Sequence, residues 1–580
     1  MDQLEPNTAS YNIPNPVRLR GTLDVESLEN AISEIVRRHE SLRTRFGKSG
    51  GEPVQLIDAA SPVPLPAIDL TEIDEGKREA AAVSLAHEEA QQPFSLADGP
   101  LIRTKLLRLK ADDHVLLLTI HHIVADGWSL GIFLRELVVL YGAFSSRSPS
   151  PLPELPIQFG DYAVWQREWL RGETLEAELA FWKERLGGTL PILDLPTDYP
   201  RPKMMTFRGR AQSTMLIPEF SEQLETLCHR TATTPYMVLL AVFETLMFRY
   251  TGLEDILVGS PFTNRNRVEI EGLIGFFVNT LVLRTSLSGH PTFEELLRRV
   301  RDVTLSTYAH QDVPFEKLVE TLQPERDPGR NPIFQVMFAL QNAPMNLPLM
   351  KDISLEPFEF DSSIAHFDLS IVMSKLESGY SVVLEYNTDL FSDETMMRVL
   401  GHFERLLGAA VEKPQKRLLD LPLLQPAEHE ELMTRTQAIE NRLAQHSAVE
   451  RCVVLRNEIA PLDQSLVAYL ISRGASVPTD AEFDHYLKAG LNGASGSITY
   501  IQLDALPLMD DGQLNLSELH RIRASRFLRT SHMQAGNSIQ KGQSQSPDSA
   551  ESRKSELAAR RARLSAAKGV LLEKRLRGEK

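Results

Sequence analysis

Residues 115–120 read VLLLTI, a short and continuously apolar run of the kind that forms a strand buried on both faces. After the polar interval that follows, Leu130, Phe133, Leu134, Leu137, Val138 and Tyr141 recur at helical spacing. Asp126 and Gly127 supply the turn between the two, and Ser129 is placed to cap the helix. The predicted unit is therefore strand, loop, helix. Upstream, VRLRG at 17–21 predicts another strand, and Asp24 opens a helix that carries Leu28, Ile32, Ile35 and Val36 on one face and ends near Arg38. Strand and helix patterns return after residue 210, where PYMVLLAVFETLMFRY at 235–250 is apolar almost all round, as a buried helix would be. These alternations predict an α/β protein in two halves, with a boundary near residue 185.

Bulk properties narrow the classes. A chain of 580 residues with 42% apolar and 24% charged residues can bury several cores, and its formal charge of −16 argues against nucleic acid as a partner. Cys228 and Cys452 are the two cysteines and give neither a disulfide framework nor a CxxC metal site, so a cytoplasmic setting is expected. No signal peptide is seen in MDQLEPNTASYN, and no apolar run reaches the ~20 residues of a bilayer span, so no membrane association is expected. GKS at 47–49 lacks the first glycine of a phosphate loop, that place being Leu42. The pair Gly187 and Gly188 lacks the serine of a carrier attachment site.

Chemistry concentrates in IHHIVADGWS, residues 120–129. Side chains alternate along a strand, so His121 and His122 are expected to face opposite ways, one serving chemistry and the other structure, with no shared metal. This run resembles the HHxxxDG signature of condensation domains of non-ribosomal peptide synthetases. Further landmarks of that family follow in order: RHESLRTRF at 38–46, FGDYAVWQ at 159–166, IGFFVNTLVLR at 274–284, HQDVPFE at 310–316 and RDPGRNP at 326–332. The likeness covers roughly the first 425 residues.

The resemblance implies two chloramphenicol-acetyltransferase-like lobes meeting in a V, residues 1–185 and 186–415, with a tunnel between them. It implies an acyltransferase that joins aminoacyl or peptidyl groups held by donor and acceptor peptidyl carrier proteins, and the L-donor/L-acceptor subtype. No cofactor of its own is implied beyond the phosphopantetheine arms of those carriers. His122 is the implied catalytic residue, either as base or by orienting the amine, and His121 braces the loop. Asp126 could orient His122, but the family pattern assigns it to an arginine salt bridge; Arg265 is the candidate partner, with Arg284 and Arg43 as alternatives. Gly127 is expected at a backbone geometry or close approach that a Cβ would obstruct, with its amide near the developing oxyanion. Trp128 and Asn279 are candidate tunnel residues. Competing readings are an acyl-CoA-dependent acyltransferase of the same fold and a non-catalytic, carrier-binding remnant.

Residues 416–527 resemble the entry to an adenylation domain followed directly by its small α+β C-terminal subdomain, as in AIENRLAQHSAVERCVVLRNE at 438–458. LPLMDDGQLN at 506–515 has Gln513 where such domains carry the adenylating lysine, so a remnant without adenylating activity is expected. Residues 528–550 read as a flexible polar linker. Residues 551–580 hold ten Lys or Arg against four Glu, with Leu557, Leu564 and Leu571 at heptad spacing, and read as a basic helical tail that could dock on another synthetase module. The SxAQxRLWxL element that opens such condensation domains is missing, which implies that Met1 is an internal methionine or the reading frame is damaged.

Overall fold

The computed structural model describes residues 8–509, except 217, 325–326, 342–349, 351, 361–363, 377, 457–465, 475–477 and 491–497, together with 514–515 and 518–519. Gln513, the linker at 528–550 and the tail at 551–580 lie outside the described residues.

The fold is mixed α/β, built on two six-stranded sheets. In the first sheet the predicted apolar run becomes the strand Asp113–His121, buried along nearly its whole length. It is flanked by Val17–Gly21 and Ile102–Lys110, both antiparallel to it. Helix Val25–Arg38 starts where expected: the Asp24 carboxylate accepts from the Ser27 amide, and Leu28, Ile32, Ile35 and Val36 are buried. That apolar stripe meets Phe133, Leu134 and Leu137 of helix Gly127–Ser145 in one core. Helix Gly127–Ser145 is long and apolar enough to cross a bilayer by composition, but half of it is buried inside the protein, as a core helix is.

The helix after the histidine loop begins earlier than the sequence suggested. Asp126, not Ser129, is its N-cap; Ser129 lies in the first turn and donates to it. Aspartate and serine both cap well, so the pattern alone could not choose between two capping residues three positions apart.

The second sheet runs, in spatial order, Asn279–Ser286, Asp255–Phe262, Val336–Gln341, Leu369–Leu376, Gly379–Asn387 and Gly209–Leu216. Its core is filled by helix Pro235–Thr251, on which every residue from Met237 to Tyr250 is buried, and by helices Phe293–Tyr308 and Asp393–Glu412. Thr234 caps the buried helix at its start, and Gly252, at φ 72°, ends it in the left-handed conformation glycine adopts without strain.

One strand connects the halves. Ile353–Pro357 comes from the second half of the chain yet pairs antiparallel with Val17–Gly21 at the edge of the first sheet. The approach is close: a Cβ at Gly21, which has φ +136°, would lie 2.0 Å from the Asp352 carbonyl oxygen. A cut at residue 185 therefore leaves the first sheet one strand short. Beyond residue 425, helices Pro426–Ala444 and Asp480–Gly490 cover a three-stranded sheet of Val449–Arg456, Leu466–Ser472 and Ile498–Gln502.

Candidate active site

The strand Asp113–His121 stops at the first histidine, and a single 3-10 turn, His122–Val124, begins at the second. The His122 amide donates to the Tyr11 carbonyl at 2.8 Å, and the His121 amide to that of Leu101 at 3.0 Å. Both residues line one large cavity of about 2690 Å³. The two rings differ in what holds them. His121 is buried, its Nδ1 accepts from the Ile123 amide at 3.1 Å, and its ring lies against Phe94 and Tyr11. His122 is half-buried, sits edge-on to Phe276 at 5.0 Å, and has a buried Nδ1 with no hydrogen-bond partner among the described residues.

Asp126 faces the interior. Its Oδ1 accepts from the Ser129 amide at 2.8 Å and the Ser129 hydroxyl at 2.7 Å, and its Oδ2 accepts from the Phe277 amide at 3.0 Å. Arg265 completes the group, with Nη2 3.2 Å from Asp126 Oδ1. The carboxylate is thus committed to a helix cap, a salt bridge and a neighbouring loop, and a dyad with His122 is not formed. The other candidate arginines are engaged elsewhere, Arg284 with Asp255 and Arg43 with Glu40. Arg265 Nη1 also donates to the carbonyls of Ile270 and Leu273 at 2.7 Å each, and its guanidinium lies 4.0 Å from the centre of the Phe277 ring. Burial pulls its pKa below the ordinary guanidinium value, while the charge of Asp126 opposes that shift.

The separate sequence landmarks converge on the segment Ile274–Phe277. From RHESLRTRF, His39 Nδ1 accepts from the Ile274 amide at 3.2 Å and the Ser41 hydroxyl donates to its carbonyl at 2.7 Å. Ser129 Oγ accepts from the Gly275 amide, and its one hydrogen is shared between Asp126 and the Gly275 carbonyl, 2.9 Å away. From FGDYAVWQ, the rings of Phe159 and Tyr162 pack on Phe277 at 5.0 and 4.8 Å. Just beyond, Asn279 uses its side-chain amide to bind Gln311 and Val313 carbonyls and the Phe315 amide, pinning HQDVPFE to this strand. Asn279 therefore lines the cavity but is spent on holding a loop. Trp128 also lines the cavity, with its indole N–H donating to the Glu271 carbonyl at 3.0 Å.

Gly127 departs from expectation. It is the first residue of the helix, it does not have positive φ, and no described atom lies within 4 Å of where a Cβ would stand. No described neighbour requires glycine there; a side chain would project into cavity space. Its amide is in the first helical turn, where N–H groups lack intrahelical acceptors. Sequence reasoning treated Ser129 as a cap and assigned no role to Tyr11 or His366, although the cavity includes the latter two. No short motif marks them; their distance along the chain from the histidine pair hides the contact.

The family model described as Condensation domain matches residues 1–433. Over 507 residues the chain is 44% identical to one of the linear gramicidin synthase proteins of Brevibacillus parabrevis, a match that covers 87% of this chain and 6% of that protein. Over 435 residues it is 48% identical to another protein of the same synthase, covering 75% of this chain and 8% of that one. The chain therefore spans less than a tenth of these curated relatives. Among solved structures, the X-domain from teicoplanin biosynthesis superposes with a TM-score of 0.66 at 28% identity, over 72% of this chain and 94% of that one. The first condensation domain of the calcium-dependent antibiotic synthetase, in complex with a substrate analogue, shares the fold with a TM-score of 0.62 at 21% identity, over 73% and 96%.

Proposed function

The chain belongs to the condensation-domain family, and from that premise we propose that it forms the amide bond between two aminoacyl or peptidyl thioesters borne by separate peptidyl carrier proteins. The observation that carries this reading is His122, half-buried on the wall of a cavity large enough for two pantetheine-linked groups. In the proposed reaction the acceptor's neutral amine attacks the donor's thioester carbonyl carbon. The C–S bond breaks, and the proton lost by the nitrogen passes by way of the His122 ring to the departing thiolate. A histidine with a reference pKa of about 6.5 and an α-amine near 7.7–8.0 can share that proton around neutrality. Holding both thioesters in one cavity supplies effective concentration, worth up to ~7–11 kcal/mol in well-oriented cases. The first-turn amide of Gly127, at the positive end of a 19-residue helix, is the proposed neighbour of the developing oxyanion.

His121 braces the loop in this reading, and Asp126 with Arg265 keeps the loop shaped. The intact histidine pair and IGFFVNTLVLR support the L-donor/L-acceptor subtype, and the two sheets are read as chloramphenicol-acetyltransferase-like lobes. The phosphopantetheine arms belong to the carriers, and the setting is cytoplasmic. Residues 416–527 are read as an adenylation subdomain remnant; a 507-residue match to a synthase protein must reach beyond residue 433.

The test supplies aminoacyl-loaded donor and acceptor carriers to the protein and to His122→Ala, then seeks dipeptide on the acceptor by intact-protein mass spectrometry. Dipeptide from the unaltered protein alone is expected. Turnover with free acyl-CoA would instead favour the acyltransferase reading, and carrier binding without product the non-catalytic one.

A further inference from the structure

The cavity contains a third imidazole. His366 lies in the loop before strand Leu369–Leu376, where its carbonyl accepts from the Asn331 side-chain amide at 2.6 Å, tying the loop to RDPGRNP. Its ring stacks on Tyr11 at 5.8 Å and 29°, and the tilted ring of Phe207 lies 5.8 Å away. Tyr11 is also the residue whose carbonyl fixes the His122 amide, and its ring reaches His121 at 6.2 Å. The His366 ring is half-buried and lines the same cavity as His122.

A backbone hydrogen bond with Ser10 favours the protonated ring and so opposes the downward pull of burial. In a neutral imidazole one of the two nitrogens carries a lone pair and can only accept. Resting on the condensation reading of the cavity, we propose that His366 is a second positioning residue, whose unprotonated nitrogen accepts a hydrogen bond from the N–H of the incoming aminoacyl arm. Burial, with positive charge at His122 adding to it, pulls its pKa down to about 4, so the ring stays neutral and keeps its acceptor across the physiological range. The titratable groups around it are Tyr11 and His122, with no carboxylate among its ring contacts to the described residues. The site thus combines an imidazole that handles the proton with one that orients the nucleophile.

Two measurements decide the proposal. In dipeptide formation between loaded carriers, His366→Ala is expected to lower kcat about tenfold, as loss of a hydrogen bond does, with the donor's KM unchanged. His366→Gln, which keeps a neutral acceptor, is expected to recover most of that loss. Equal losses in both variants, or no loss in either, would overturn the proposal. Independently of turnover, the protein labelled with ¹⁵N-histidine is titrated with an unreactive probe, glycyl-aminopantetheine, in which an amide replaces the thioester. The signal of the unprotonated His366 nitrogen, assigned by its absence in His366→Gln, is expected to shift; a fixed signal at saturating probe would refute the contact. If the unaltered protein makes no dipeptide while that signal moves, the condensation reading fails and His366 stands as a ligand contact.

Discussion

Asp126 and His122 are four positions apart, and their environments separate them completely. Asp126 is 2% exposed with both oxygens engaged, and its Arg265 partner is buried as well. Removing either member leaves the other charge stranded, so Asp126→Ala or Arg265→Ala is expected to cost ~3–5 kcal/mol in urea unfolding. Arg265→Lys should recover only part of that loss, because one ammonium cannot serve two carbonyls and a carboxylate in the planar geometry of a guanidinium. His122→Ala should do the reverse. It removes a half-buried ring with an unpartnered nitrogen, so dipeptide yield should fall ~10²–10⁴-fold while the unfolding midpoint barely moves. A parallel fall in stability and turnover would place His122 in the framework with Asp126. The residue types and their spacing made both positions legible; which oxygen meets which donor depends on Phe277 and Arg265, more than a hundred positions away.

Segment Ile274–Phe277 behaves as a keystone between elements, held by the side chains of His39 and Ser41 just past helix Val25–Arg38, of Ser129 in helix Gly127–Ser145 and of Phe159 in helix Phe159–Trp169. Its tolerance for added volume is small: a Cβ at Gly275 would stand 2.3 Å from the Phe159 ring. Gly275→Ala should destabilise by ~1–3 kcal/mol through overpacking. Phe159→Ala should be destabilising alone, yet the double variant should cost less than the sum, because the smaller side chain vacates the space the methyl needs. Strict additivity in a double-mutant cycle would show that the ring is not what limits Gly275. The elements themselves were readable, since Asp24 and the apolar stripe of Val25–Arg38 carry local signals. The clamp was not, because His39, Ser41, Ser129 and Asn279 spend their hydrogen bonds on partners that hydrophobic periodicity does not encode.

At the scale of the whole molecule, the core around helix Pro235–Thr251 encloses an ionisable group that the proposed chemistry does not use. Glu244 is fully buried; the Thr285 hydroxyl donates to Oε1, and Oε2 has no partner among the described residues. Burial pushes its carboxyl from the ordinary 4.5 up to about 8. Between those values the folded protein holds a proton that the unfolded chain has released, so stability falls as pH rises from about 4.5 to about 8. Glu244→Gln is neutral throughout and should flatten that part of the melting curve against pH, gaining roughly 2–4 °C for each kcal/mol at the alkaline end. A slope left unchanged in Glu244→Gln would assign the pH dependence to another group. The two-half α/β plan was visible in the alternation of strand and helix patterns. The return of Ile353–Pro357 to the first sheet was not, because a period of two announces a strand without saying which neighbour it will join. That returning strand bears on protein engineering: a chimera that takes its first half from one parent and its second from another must splice residues 353–357 to suit the recipient sheet, whichever parent supplies the rest.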